Sequence, residues 1–307
     1  MRNAFVEALV EQAEADDSVV LLTGDLGFTV LEPFAERFPE RFFNVGVAEQ
    51  NMVGLATGLA TRGLTPFVYS IATFASMRPY EFIRNGPVLH DLPVRVVGIG
   101  GGVDYGTNGP THHALEDIAL MRAQPGLAVL APADRDQARS AVHALADVDG
   151  PAYLRLGKGG APVPELEGRF RLGHLEQIGQ GTDLAILTYG SVVAEAIAAA
   201  RLLEGEGLGV TVAVVASLAP APVEELADLL GSVPLAVTVE SHYRTGGLGS
   251  LVCEVVGEHG LDCVVRRRGV DALASGPGGG TGWLLEHNGL TARQLADDVL
   301  RSLQTQS

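Results

Sequence analysis

Short runs rich in Val, Ile and Leu alternate along the chain with longer amphipathic stretches. VVLLTGD at 19–25, FNVG at 43–46, PFVYS at 66–70, VRVVGIG at 94–100, LAVLAP at 127–132 and AYLRL at 152–156 read as strands. Helix-like stretches fall between them near 48–62, 78–89, 113–122 and 135–147. Apolar runs that do not alternate predict strands buried on both faces, hence a parallel sheet covered by helices, an α/β fold. From Gly157 the pattern lapses into Gly, Pro and mixed charge, so a linker is expected over 161–181, after a first domain at 1–160. The rhythm then resumes with DLAILTY at 183–189, VTVAVVA at 210–216, LAVTVE at 235–240 and CVVRRRG at 263–269. Helices expected near 191–205, 222–231, 247–259 and 291–303 complete a second, smaller α/β domain at 182–307.

Composition narrows the function. At 307 residues and 47% hydrophobic, the chain can bury a sizeable core. The 21 basic and 37 acidic residues give a net charge of −16, which repels nucleic acid and anionic lipid. Two cysteines, Cys253 and Cys263, are too few for a disulfide framework. Glu7, Glu11 and Glu14 interrupt any apolar run near the N-terminus that would serve as a signal peptide, and no stretch is apolar enough to span a membrane. A soluble cytoplasmic protein is expected.

Candidate chemistry gathers at strand ends. Glu49 falls in the first turn of an apolar helix that follows the strand ending at Gly46. An acid there is favoured by the helix dipole alone, but open α/β sheets also place their ligands at this end of a strand. The same argument marks Asp25 in TGDLG. Phe74, Met77 and Tyr80 recur at spacings of three, as a core-facing helical stripe or as a surface for a flat ligand. Arg78, Glu81 and Arg84 on the other faces are expected in ion pairs at a subunit boundary. His112 and His113 end a Gly-rich loop, GIGGGVDYGTNGPTHH, either capping the next helix or facing a ligand. Arg266, Arg267 and Arg268 read as a solvated strand end.

NVGVAEQNMVGLATGLATRGLTPFV at 44–68 resembles the pyrimidine-binding domain of transketolases and 1-deoxyxylulose-phosphate synthases. GPTHHALEDIALMRAQPGLAVLAPAD at 109–134 is similar to their histidine loop, and VESHYRTGGLGSLVCEVVGEHG at 239–260 to the transketolase C-terminal domain. The resemblance implies that Glu49 activates the aminopyrimidine of thiamine diphosphate by sharing a proton with its ring nitrogen. It also implies cofactor contacts by Phe74, Met77, Tyr80 and Asp25, and a proton-handling His112 facing substrate. Arg2, Thr29, Asn108 and Arg155 match substrate positions loosely; His113 and His242 are left without an assigned role. Two departures stand out: Gly100, twelve residues before His112, replaces a family histidine, and Asn108 an acid. Both speak against an ordinary phosphorylated acceptor.

The Gly-Asp-Gly loop with a downstream Asn, by which the family holds Mg2+ or Ca2+ and the diphosphate, has no counterpart here. A partner chain carrying that domain and metal is therefore expected, in an α2β2 heterotetramer with each site between unlike subunits. The activity expected is ketol transfer from a ketose, or its phosphate, to an aldehyde. Three other readings remain: the β subunit of a 2-oxo acid dehydrogenase first component, a deoxyxylulose-phosphate-synthase-like carboligase, and an inactive scaffolding subunit.

Overall fold

The structure, a computed structural model, describes residues 1–273 and 278–304. Its strands are β1 (Val19–Thr23), β2 (Phe42–Asn44), β3 (Thr65–Ile71), β4 (Arg95–Ile99), β5 (Ala128–Leu130), β6 (Ala152–Leu156), β7 (Glu176–Ile178), β8 (Leu184–Thr188), β9 (Val210–Val214), β10 (Ser217–Ala219), β11 (Leu235–Tyr243) and β12 (Val264–Val270). The helices are α1 (Arg2–Ala15), α2 (Glu32–Arg37), α3 (Glu49–Ala60), α4 (Ala72–Met77), α5 (Tyr80–Ile83), α6 (Asp117–Arg122), α7 (Arg135–Ala144), α8 (Val193–Gly205), α9 (Val223–Gly231), α10 (Leu248–His259), α11 (Thr281–His287) and α12 (Ala292–Gln304).

Two sheets organise these elements. The first runs β10-β5-β6-β4-β3-β1-β2 and the second β12-β11-β8-β9-β7. Pairing is parallel except for the edge pairs β10 with β5 and β7 with β9. Every residue of β1, β4, β6, β8 and β9 is buried, as continuous apolar runs require when helices cover both faces. The mixed α/β architecture with parallel sheets is the one expected.

Three local readings change. The stretch expected as a linker holds β7, which pairs with β9. Residues just after β9 form β10, which leaves the second sheet's connection to close the edge of the first. The helix expected over 78–89 is broken: α4 ends at Met77, Pro79 follows, and α5 leads into a π-helical turn at Arg84–Val88. Proline has no N–H to continue the ladder, so Phe74 and Met77 lie on one helix and Tyr80 opens the next. One buried cluster runs through both units, from Val20, Met52 and Val68 to Leu226, Leu248 and Val252. No described helix is long and apolar enough to cross a membrane.

Candidate functional site

The parallel register aligns the carboxyl ends of β1, β2 and β3, with Thr23 opposite both Asn44 and Tyr69. The connections leave β1 towards β2 on one side and reach β3 on the other, so a crevice opens between β1 and β3 at a topological switch point. Glu49 sits in it as the first residue of α3, only 2% exposed. Its Oε1 accepts a hydrogen bond from Ser70 Oγ at 3.1 Å and its Oε2 one from Arg78 Nη1 at 2.8 Å. Gly24 is close by: a Cβ there would lie 3.8 Å from Glu49 Oε1.

From Glu49 the site continues as a chain of contacts. The Arg78 guanidinium carbon lies over the half-buried Phe74 ring, 4.1 Å from its centre. The His112 ring meets Phe74 edge-on, at 5.2 Å and 66°, while its Nδ1 is 3.0 Å from Thr111 Oγ1. Tyr105 is 5.9 Å from His112, and Lys158 Nζ lies 4.3 Å over the Tyr105 ring. Burial raises the Tyr105 phenol above its ordinary value, opposed by the charge of Arg2. The Tyr105 ring fills the space over Gly100, where a Cβ would come within 2.2 Å of it.

The residues named from sequence do not all converge. Glu49, Phe74 and His112 do. Asp25, at φ 56, is clipped to Asn44, receiving its Nδ2–H at 3.0 Å; Asn44 Oδ1 in turn accepts from the backbone of Asp25 and Gly46. It braces the turn that leads to Glu49. Tyr80 is committed to α6: its hydroxyl donates to Leu120 O at 2.9 Å and receives Gln124 Nε2. Met77 is 47% exposed, with Thr73 Oγ1 3.4 Å from its sulfur. Thr29 is exposed and its N–H donates to Glu32 at the start of α2; Asn108 is exposed in a 3-10 turn. His113 is buried with Nε2 3.2 Å from Gly106 O, bracing the loop.

Arg155, expected to grip substrate, is engaged inside the chain: it is 5% exposed, with Nε 3.0 Å from Asp117 Oδ2 and Nη2 donating to Ala114 O and Ser241 O. Burial, the largest single influence, opposes its charge, but Asp117 together with Tyr189, Tyr153 and Asp104 outweighs it and holds the guanidinium above its ordinary value. Tyr153 also donates to Asp117 at 2.7 Å. Since Ser241 lies on β11, this network ties the first sheet to the second. His242 joins the same seam, accepting from Ala119 N and donating from Nδ1 to Tyr243 O. Glu240 caps α10 by accepting from the N–H groups of Leu248 and Gly249.

Arg78 is a site residue that sequence reasoning missed. Expected in ion pairs at a subunit boundary, it forms its ion pair with Glu49. The signal available was its position one helical turn after Phe74. Arg267 and Arg268 do lie on a partly solvated edge strand, Arg268 pairing with Asp298.

Comparison with known proteins agrees with this geometry. Residues 1–163 match the family model for the transketolase pyrimidine-binding domain and residues 173–295 that for the transketolase C-terminal domain. A putative transketolase C-terminal section from Methanocaldococcus jannaschii is 36% identical, covering 99% of this chain and 96% of its own. The 6-deoxy-6-sulfo-D-fructose transketolase subunit SqwH of a Clostridium species is 37% identical over 96% of this chain and 92% of its own. A solved structure described as a split gene transketolase, inactive beta4 tetramer, superposes with a TM-score of 0.89 at 39% identity, covering 99% of this chain and 98% of that one. The chain therefore belongs to the transketolase family and carries that family's pyrimidine-binding and C-terminal domains.

Proposed function

We propose that this chain is the smaller subunit of a two-chain, thiamine-diphosphate-dependent transketolase that moves a two-carbon ketol unit from a ketose to an aldehyde. The observation that carries the reading is a buried carboxylate, Glu49, bridged to the Phe74 ring by one guanidinium, that of Arg78. The Arg78 guanidinium serves as a stand-in: a planar nitrogen-bearing group fits there, over Phe74 and hydrogen-bonded to Glu49. An aminopyrimidine is such a group.

When bound, thiamine diphosphate supplies the nucleophilic carbon and, through its aminopyrimidine, the base that unmasks it. The residues of this chain then have separate tasks. Glu49 shares a proton with the pyrimidine ring nitrogen, Ser70 holds the other carboxylate oxygen, and Phe74 fixes the ring plane. His112, packed on Phe74, is placed to pass a proton to or from a substrate oxygen. Tyr105 and Lys158 border the approach to it. The diphosphate and its Mg2+ or Ca2+ are assigned to the partner subunit, in an α2β2 assembly. Relatives described as subunits of split transketolases support that arrangement.

The test is calorimetry with thiamine diphosphate and magnesium on this chain alone and after reconstitution with the partner. Tight binding should need both chains. Tight, magnesium-dependent binding to this chain alone would overturn the shared-site reading.

A further inference from the structure

We propose that Arg78 is a placeholder for the aminopyrimidine: it occupies the cofactor's two attachment points in the cofactor-free chain and is displaced when the cofactor binds. The inference deepens the proposed function and rests on it. Two independent contacts carry it. Arg78 Nη1 donates to Glu49 Oε2 at 2.8 Å, and the carbon of the same guanidinium lies over the Phe74 ring, 4.1 Å from its centre. These are the atom and the ring face that the proposed function gives to the pyrimidine. The other Glu49 oxygen accepts from Ser70, so with Arg78 in place both carboxylate oxygens are already hydrogen-bonded. A pyrimidine placed on the same face of Phe74 and bonded to Oε2 meets the guanidinium and has to displace it.

The arrangement has a physical rationale. Glu49 is 2% exposed, and a carboxylate left unpaired at that depth is costly. Arg78 satisfies it until the cofactor arrives. Arg78 is also able to leave: it caps the C-terminal end of α4 just before Pro79, and its side chain is 44% exposed, so the head group can swing to solvent without moving a helix. Cofactor binding is then an exchange, and its affinity is reduced by the strength of the contact that is broken.

Two measurements test this. On the chain alone, Arg78→Met should lower the melting temperature by about 2–5 °C, whereas in a Glu49→Gln background it should have little effect. On the reconstituted pair, Arg78→Met should bind thiamine diphosphate about tenfold tighter, the equivalent of one charge-assisted hydrogen bond no longer displaced. Arg78→Lys, which keeps the charge without the plane, should fall between. Weaker binding by Arg78→Met would overturn the proposal, because Arg78 would then be a cofactor ligand. Equal melting shifts in the two backgrounds would overturn it as well. A wild-type pair that binds no thiamine diphosphate would instead refute the function itself, and the placeholder with it.

Discussion

Replacing Arg155 with methionine separates a substrate grip from an inter-sheet tie. The Arg155 and Asp117 side chains are 6% and 0% exposed, so the substitution strands a buried carboxylate. Removing one member of such a pair costs about 3–5 kcal/mol. Tyr153 still donates to Asp117 and Gly102 N still donates to Ala114 O, which favours the lower end, but Ser241 O loses the Arg155 donor. With 307 residues, an unfolding entropy of about 2.1 cal/mol/K per residue gives roughly 0.6 kcal/mol/K. The melting temperature should therefore fall by about 5–8 °C, read by differential scanning calorimetry on the isolated chain. Arg155→Lys should recover little, since an ammonium cannot reach Asp117 and two carbonyls from one plane. If Arg155→Met instead melts within a degree of wild type while the reconstituted enzyme shows a raised KM for phosphorylated substrate, the tie is wrong and the grip is right.

Three further outcomes are expected. Glu49→Gln in the reconstituted enzyme should lower kcat by several orders of magnitude, because the amide cannot share the proton; near wild-type turnover would reduce Glu49 to a helix-start acid. Asp134→Ala should destabilise by about 2–4 kcal/mol in chemical denaturation, since the carboxylate caps α7 through Gln137 N and also holds Val163 N. A loss below about 0.5 kcal/mol would contradict that double role. Gly100→Ala should destabilise by about 1–3 kcal/mol, because φ is +75° and the new Cβ meets Tyr105. Adding Tyr105→Ala should recover part of that loss, and strictly additive effects would show that the two positions do not touch.

The alternation of apolar runs is enough to assign an α/β fold, because burying both faces of β1, β4, β6, β8 and β9 forces continuous Val-, Ile- and Leu-rich stretches that leave few other readings. It also places Glu49 at a strand end and His112 on a glycine loop, where the resemblance to transketolases attaches to contiguous residues. α1 is not read from the sequence, where the chain start draws attention only for its acids; its apolar face of Phe5, Val6, Leu9 and Ala13 is buried in the fold. Other features depend on partners distant in sequence. β7 and β10 are three residues each, too short for a periodic signal, and exist as strands through pairing with β9 and β5. Arg155 reads as a strand-end cation until β11 closes over it, and burial beside Asp117 turns a candidate ligand into a brace. Arg78 reads as one of three charges that form ion pairs at a subunit boundary until the break at Pro79 and the fold of α4 over β3 set its guanidinium between Glu49 and Phe74. A residue's type and neighbours in sequence limit what it can do, but its role is decided by the desolvation and partners that only long-range packing supplies.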